Sequence, residues 1–222
     1  MLSTPSFRAI IFDMDGLLVN SETTWKTAET ALLAARGHAF TPEVRQQIVG
    51  LRIEQIMEKF CSVYGLSETV DALAEELTRR LLDLIPTHVT PQPGASEMVA
   101  YVMEQHIPCA IASSSSRVVI DATLRQQGWD SLFAIRCSAE DELHGKPAPD
   151  VYLRAAERLG IAPQECLALE DSLTGAKAAV AAGMVCYAVP DLTHTTAEAF
   201  AGVTPYIFGS LLEVLENLNS TP

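Results

Sequence analysis

Four apolar residues in a row, Ala9-Ile10-Ile11-Phe12, run directly into Asp13-Met14-Asp15-Gly16. A short, unbroken apolar run with two isoleucines predicts a strand buried on both faces, as in the middle of a parallel sheet. A bare carboxylate is costly inside a core, so Asp13 marks the carboxyl end of that strand. Open α/β sheets bind their ligands at this edge. Asp13 and Asp15 are two residues apart, so in extended chain both side chains leave on one face. Gly16 permits a sharp turn and close approach of backbone to a ligand. Two carboxylates so placed repel each other unless a proton or a cation separates them. The pattern asks for a metal ion, and Mg²⁺ suits carboxylate oxygens.

From Gly94 onward the chain alternates helix and strand. Helices are expected over 95–105, 117–127, 150–159, 173–182 and 211–218, and strands over 107–112, 133–137, 166–169 and 185–189. Such alternation means an α/β fold with a Rossmann-like parallel sheet covered on both faces. The stretch between is different. Residues 22–36, 42–49, 53–64 and 67–85 read as successive helices with no strand, the last carrying Leu73, Leu77, Leu81 and Leu84 at helical spacing. Pro86, Pro91, Pro93 and Gly94 then form a cluster expected to be a linker. With 222 residues, 48% of them hydrophobic, the chain suits one domain with a smaller insert. The expected division is a core of residues 1–19 and 87–222 and an all-helical cap of residues 20–86.

The formal net charge of −13 comes with no basic cluster, which argues against nucleic acid and anionic membrane surfaces as partners. Cys61, Cys109, Cys137, Cys166 and Cys186 show no zinc-ligand spacing. Cys109, Cys166 and Cys186 sit in apolar strand-like runs and are expected to be small buried hydrophobes in a reducing compartment. No signal-peptide pattern and no apolar run of membrane-spanning length is present. A cytoplasmic monomer is the expectation.

Four predicted strand ends carry polar groups: Asp13 with Asp15, Ser113 with Ser114, the loop holding Lys146, and Glu170 with Asp171. A parallel sheet brings all four to one edge. Carboxylates on two strand ends can share a cation, serine hydroxyls and a helix N-terminus offer donors to an anion, and lysine supplies a point positive charge. Together these make a phosphate site. His38, His88, His106, His144 and His194 form no Ser-His-Asp order, so the natural nucleophile is the Asp13 carboxylate, which would form an acyl phosphate. Asp15 could protonate the leaving oxygen and then deprotonate water, while the metal shields the nucleophile from phosphoryl charge.

These residues resemble the haloacid dehalogenase superfamily, in the branch with a helical cap inserted after the first strand. Asp13-Met14-Asp15-Gly16 matches the first motif and Ser113, at the end of a hydrophobic strand, the second. Lys146, in Gly-Lys-Pro-Ala-Pro-Asp, matches the third, and Glu170-Asp171-Ser172 followed by Gly175 the fourth. Asp-Gly-Leu-Leu-x-x-Ser-Glu and Gly-Leu-Arg-Ile are similar to the sugar-phosphate phosphatases, including the 2-deoxyglucose-6-phosphate type. The resemblance implies a Mg²⁺-dependent phosphatase acting on a small phosphate ester. Asp13 is then nucleophile and metal ligand, and Asp15 is acid/base and binds metal through its main-chain carbonyl. Ser113 and Lys146 hold the phosphoryl group, Asp171 binds metal directly and Glu170 does so through water. Gly16, Ser114 and, from the cap, Trp25 and Arg52 are expected at the substrate. Asn20 departs from the aspartate that relatives commonly carry at this hinge.

Three other readings compete. A dehalogenase attacks carbon and needs neither the metal nor the second aspartate, so Asp15 and Glu170-Asp171 argue against it. A non-catalytic binding module would be expected to lose the nucleophile or the lysine, and both are present. The alternative is a β-phosphoglucomutase-like phosphomutase, which shares core, cap and motifs. The resemblance says such mutases carry a histidine twelve residues after the nucleophile and a Lys-Gly-Val-Ser-Arg-Glu segment. Here those positions hold Trp25 and Val49-Gly50-Leu51-Arg52-Ile53-Glu54, which predicts hydrolysis.

Overall fold

The computed structural model describes residues 6–191 and 195–220; His194 lies outside them. The first strand, β1 (Ala9–Phe12), is fully buried and forms the middle of the sheet. The short pair β2 (Val19–Asn20) and β3 (Thr90–Pro91) stands apart from it. The remaining strands are β4 (Cys109–Ser113), β5 (Ile135–Ser138), β6 (Cys166–Glu170), β7 (Val185–Ala188) and β8 (Tyr206–Ile207). The sheet order is β5-β4-β1-β6-β7-β8, and every neighbouring pair in it is parallel. Ile11 lies opposite Ala110 on one side and Ala168 on the other. The chain winds from β1 to one edge and then returns to the opposite side of β1. The winding direction therefore reverses between β1 and β6, and a crevice opens at their carboxyl ends.

Period-two alternation splits the strands between two faces. Ile10, Phe12, Ile111, Leu167, Leu169 and Tyr187 point one way, against α5 (Ala95–Glu104), α6 (Arg117–Gln126) and α10 (Leu211–Asn219). On this face Phe12 meets Phe133 edge-on, with ring centroids 5.6 Å apart. The other face carries Ala9, Ala110, Ala112, Ala168, Cys186 and Ala188. Such small side chains let α7 (Asp150–Leu159) and α8 (Leu173–Ala181) approach closely, themselves presenting Ala155, Ala156, Ala176 and Ala179. All five cysteines are unpaired thiols, and Cys137, Cys166 and Cys186 are buried in this packing.

β2 and β3 pair antiparallel, Val19 opposite Pro91. Between them lie α1 (Glu22–Ala34), α2 (Pro42–Gln46), α3 (Ile53–Tyr64) and α4 (Val70–His88), with no strand among them. The buried stripe of α4 is Leu73, Leu77, Leu81 and Ile85; Ile85 takes the last place expected for Leu84. Contrary to the sequence expectation, α4 continues through Pro86 to His88. Proline there withholds an N–H and disfavours helix, but the last turn finds other partners. Leu84 O accepts from Thr87 Oγ1 and His88 Nδ1, and Val89 N–H donates to Ile85 O. Gln126 at the end of α6 and Gln127 just after it donate to the carbonyls of Pro86 and Val89, tying this end to α6. The two-residue β8 and the short helix α9 (Ala197–Phe200) had no sequence signal, being too short to show a period. Thr204 fixes β8 by donating from Oγ1 to Cys186 O. Among the described residues no helix is long and apolar enough to cross a membrane.

Candidate active site

The sheet holds Asp13 up to the last possible atom. Its N–H still donates to Leu169 O (3.0 Å), while its carboxylate passes beyond the strand end. Lys146, on the loop before α7, crosses to it and is itself almost fully buried. The ammonium bonds Asp13 Oδ1 at 2.6 Å and Glu170 Oε1 at 2.6 Å, and sits 5.1 Å from the centroid of the Tyr152 ring. Glu170, the last residue of β6, has no solvent exposure. It also accepts from Tyr152 O–H (2.8 Å), Ser172 N–H (3.1 Å) and Ser172 Oγ (3.1 Å). Two glycines make room. At Gly16, with φ of +88°, a Cβ would collide with the Asp171 carboxylate, and at Gly175 one would collide with that of Glu170.

Asp13, Glu170 and Asp171 bring one ligand oxygen each within 4.8 Å of one another. Three buried carboxylates thus face one ammonium. Burial pushes the Asp13 carboxyl up to about 8 despite the opposing pull of Lys146. Burial, and after it the Asp13 charge, lifts Asp171 well above the carboxylate range. Burial alone would depress Lys146, but Asp13 and Glu170 outweigh it and hold the ammonium above the ordinary lysine value. The excess of negative charge and the all-oxygen donor set fit a hard divalent cation. Glu170 already receives four hydrogen bonds, which leaves Asp13 and Asp171 as the carboxylates with capacity for direct ligation.

Asp15 is not part of this acidic group. Its carboxylate is held by Ser21 Oγ (2.7 Å) and Trp25 Nε1 (3.2 Å) on Oδ1, and by Ser115 Oγ (2.7 Å) and Ser113 Oγ (3.4 Å) on Oδ2. Donors from β4 and from the start of α1 therefore meet on one carboxylate. The groups line a cavity of about 310 Å³. Of the expected site residues, Asp13, Asp15, Gly16, Trp25, Ser113, Ser114, Lys146 and Asp171 all line it. Ser113 Oγ also accepts from Ser115 N–H (3.0 Å). Ser114 Oγ donates to Gly50 O (2.8 Å), linking β4 to the helical segment.

Arg52 is not among the lining residues. Its Nη1 donates instead to the carbonyls of Ala139 (3.4 Å) and Glu142 (3.1 Å), on the segment that leads to Lys146. Sequence reasoning missed Ser21, Ser115, Glu22, Glu29, Arg45 and Asp191, all of which line the cavity. Ser115 was findable, because Ser113 and Ser115 share a face by the same two-residue period as Asp13 and Asp15. Glu29 and Arg45 carry no local signal.

An α/β sheet with a buried aspartate, lysine and carboxylate group at its switch point defines a class of enzymes rather than a ligand carrier. A family model described as haloacid dehalogenase-like hydrolase matches residues 10–189, and the chain belongs to that family. It is 33% identical to hexitol phosphatase B of Escherichia coli over 192 residues, 85% of this chain and 86% of that one. The crystal structure of CbbY from Rhodobacter sphaeroides in complex with phosphate superposes with a TM-score of 0.87, at 26% identity, covering 96% of this chain and 99% of that one. A β-phosphoglucomutase from Clostridium difficile shares the fold, with a TM-score of 0.80 at 20% identity, covering 96% of this chain and 97% of that one.

Proposed function

We propose that this phosphoric monoester hydrolase is a Mg²⁺-dependent phosphatase of small sugar phosphates, working through a phosphoaspartyl intermediate on Asp13. The observation that carries the reading is the buried Lys146 bridging Asp13 and Glu170 at the end of two adjacent parallel strands. Lys146 ties down Oδ1 of Asp13, so Oδ2 is the oxygen that attacks phosphorus. The P–O bond to the sugar breaks as the P–O bond to Asp13 forms, and Asp15 gives the departing oxygen its proton. Asp15 then takes a proton from water, whose oxygen attacks the phosphoaspartate and releases inorganic phosphate with Asp13 regenerated. Ser113 and Lys146 hold the transferring phosphoryl oxygens, and Gly16 and Ser114 border them. Mg²⁺, held by Asp13, Asp171 and the Asp15 carbonyl, with Glu170 acting through water, would offset the phosphoryl charge facing the nucleophile. Residues 20–86 act as the cap over the cavity, with the β2–β3 pair as its hinge. Free thiols suit the cytoplasmic setting proposed here, and we take the working unit to be the monomer.

The phosphomutase alternative is disfavoured by Trp25. A mutase must present the phosphoaspartate to a sugar hydroxyl rather than to water, and the resemblance gives mutases a histidine at this position, which can both donate and accept. An indole N–H only donates, and here it is spent on Asp15. The test is product analysis with a hexose 1-phosphate and its bisphosphate activator in Mg²⁺. Inorganic phosphate is expected to accumulate. Steady isomerisation to the 6-phosphate with little phosphate released would overturn the assignment, as would full turnover of an aryl phosphate in EDTA.

A further inference from the structure

The part of the cavity lining that comes from the helical segment carries three charged side chains, Glu22, Arg45 and Glu29. Arg45 of α2 sends Nε to Glu22 Oε1 (3.0 Å) and Nη2 to Glu22 Oε2 (2.5 Å), and its Nη1 donates to Glu29. Glu22 and Glu29 stand seven residues apart on α1, on one face of the helix. Arg45 and Glu29 are buried, and Arg45 also lies over the Phe40 ring, 6.0 Å from its centroid. Gln46 and Trp25 complete this wall, and Asp191 adds another carboxylate to the lining. Among the described lining residues the only cations are Arg45 and Lys146, and Lys146 belongs to the phosphoryl end.

Among the described residues this wall carries no excess of positive charge. One guanidinium is divided between two carboxylates, and burial pushes Glu29 up to about 7, so the trio ranges from neutral to singly negative and is never cationic near neutral pH. A second phosphate or a carboxylate reaching it would meet carboxylates whose shared cation is already engaged, in a site where solvent screens poorly. Hydroxyl groups fare differently. A hydroxyl can donate to a carboxylate without bringing a charge, and the Gln46 amide both donates and accepts. The Trp25 ring supplies an apolar surface beside them.

We propose that the Glu22–Arg45–Glu29 trio makes the enzyme select phosphate monoesters whose leaving group is neutral and rich in hydroxyls, and reject those whose leaving group bears a second anionic group. The inference rests on the hydrolase reading above, since it specifies what Asp13 releases. The probes are sorbitol 6-phosphate and 6-phosphogluconate, linear six-carbon esters that differ by a terminal CH₂OH against a carboxylate. We expect kcat/KM to be at least about ten-fold higher for the neutral ester, the scale of one unfavourable charge contact. In the Glu22→Gln/Glu29→Gln double variant the ratio should narrow to within about three-fold. Equal or better turnover of the carboxylated ester by the wild-type enzyme would overturn the proposal, and that comparison needs no variant to fold. 4-Nitrophenyl phosphate is the control for the chemistry. If it too is left intact, the hydrolase reading is what fails, and titration of tryptophan fluorescence with the same two esters then decides the selectivity by binding. A preference for the neutral ester supports it and equal affinity refutes it.

Discussion

At Asp13 the requirements of stability and chemistry oppose each other. Its carboxyl is pushed up to about 8 by burial, so the folded chain gains nothing from its charge and the reaction needs it. Asp13→Asn keeps the side-chain shape and removes the charge. The variant is expected to unfold at the same temperature as the wild type or higher, and to lose turnover altogether because an amide does not attack phosphorus. Retention of more than about a few per cent of activity would show that Asp13 is not the nucleophile. Glu29 allows a cleaner electrostatic test away from the metal site. Burial lifts its folded value from 4.5 to about 7 against the pull of Arg45. The unfolded chain loses this proton near 4.5 and the folded chain keeps it to about 7, so above the lower value the unfolded state binds fewer protons. The stability contribution is complete below pH 4.5 and is lost as pH rises through about 7. The melting temperature of the wild type should carry this downward slope, and Glu29→Gln should flatten it. An unchanged slope in the variant would place the titration elsewhere.

Individual elements position these residues by contacts that leave their own local structure. α3 is preceded by Arg52 as its N-cap, whose guanidinium reaches carbonyls of the 139–142 segment, and β4 ends at Ser113, with Ser114 reaching back to Gly50. These hydrogen bonds join the helical segment to the loops around Lys146 and Ser113. An ordinary intramolecular hydrogen bond contributes about 0.5–1.5 kcal/mol. The Arg52→Ala/Ser114→Ala double variant should therefore stay folded with a modestly lower melting temperature, while its KM for a sugar phosphate rises several-fold as closure loosens. An unchanged KM would deny these contacts a part in holding the cavity shut. The same elements explain what could be read in advance. The strands β1, β4, β6 and β7 were legible because each is a run of apolar residues longer than a turn. The Pro86 boundary was misread because the partners that satisfy the last turn of α4, Gln126 and Gln127, lie about forty residues away in sequence.

The whole molecule places a buried excess of negative charge at one edge of its sheet, and a divalent cation is the simplest remedy. Treatment with EDTA is expected to abolish turnover and Mg²⁺ to restore it. Ca²⁺ should inhibit, because it takes more ligands at longer distances than the octahedral geometry of Mg²⁺. Binding to the folded state alone should also raise stability, by about 2.7 kcal/mol at a hundred-fold excess over Kd. Calorimetry with and without Mg²⁺ measures this separately from activity, and an unmoved melting temperature would count against the site formed by Asp13 and Asp171.

The amino-acid sequence alone determined the alternation of strand and helix, the helical insertion, the strand ends where Asp13, Ser113 and Glu170-Asp171 fall, and the loop that holds Lys146. All of these depend on local periodicity and on the rule that a parallel sheet brings its carboxyl ends together. Tertiary structure decided the rest. It set Arg52 on backbone carbonyls instead of in the cavity, turned Asp15 toward Ser21, Trp25 and Ser115, and brought Arg45 between Glu22 and Glu29. Those outcomes depend on how separate helices pack, and hydrogen bonds between residues distant in sequence leave no period in the sequence itself.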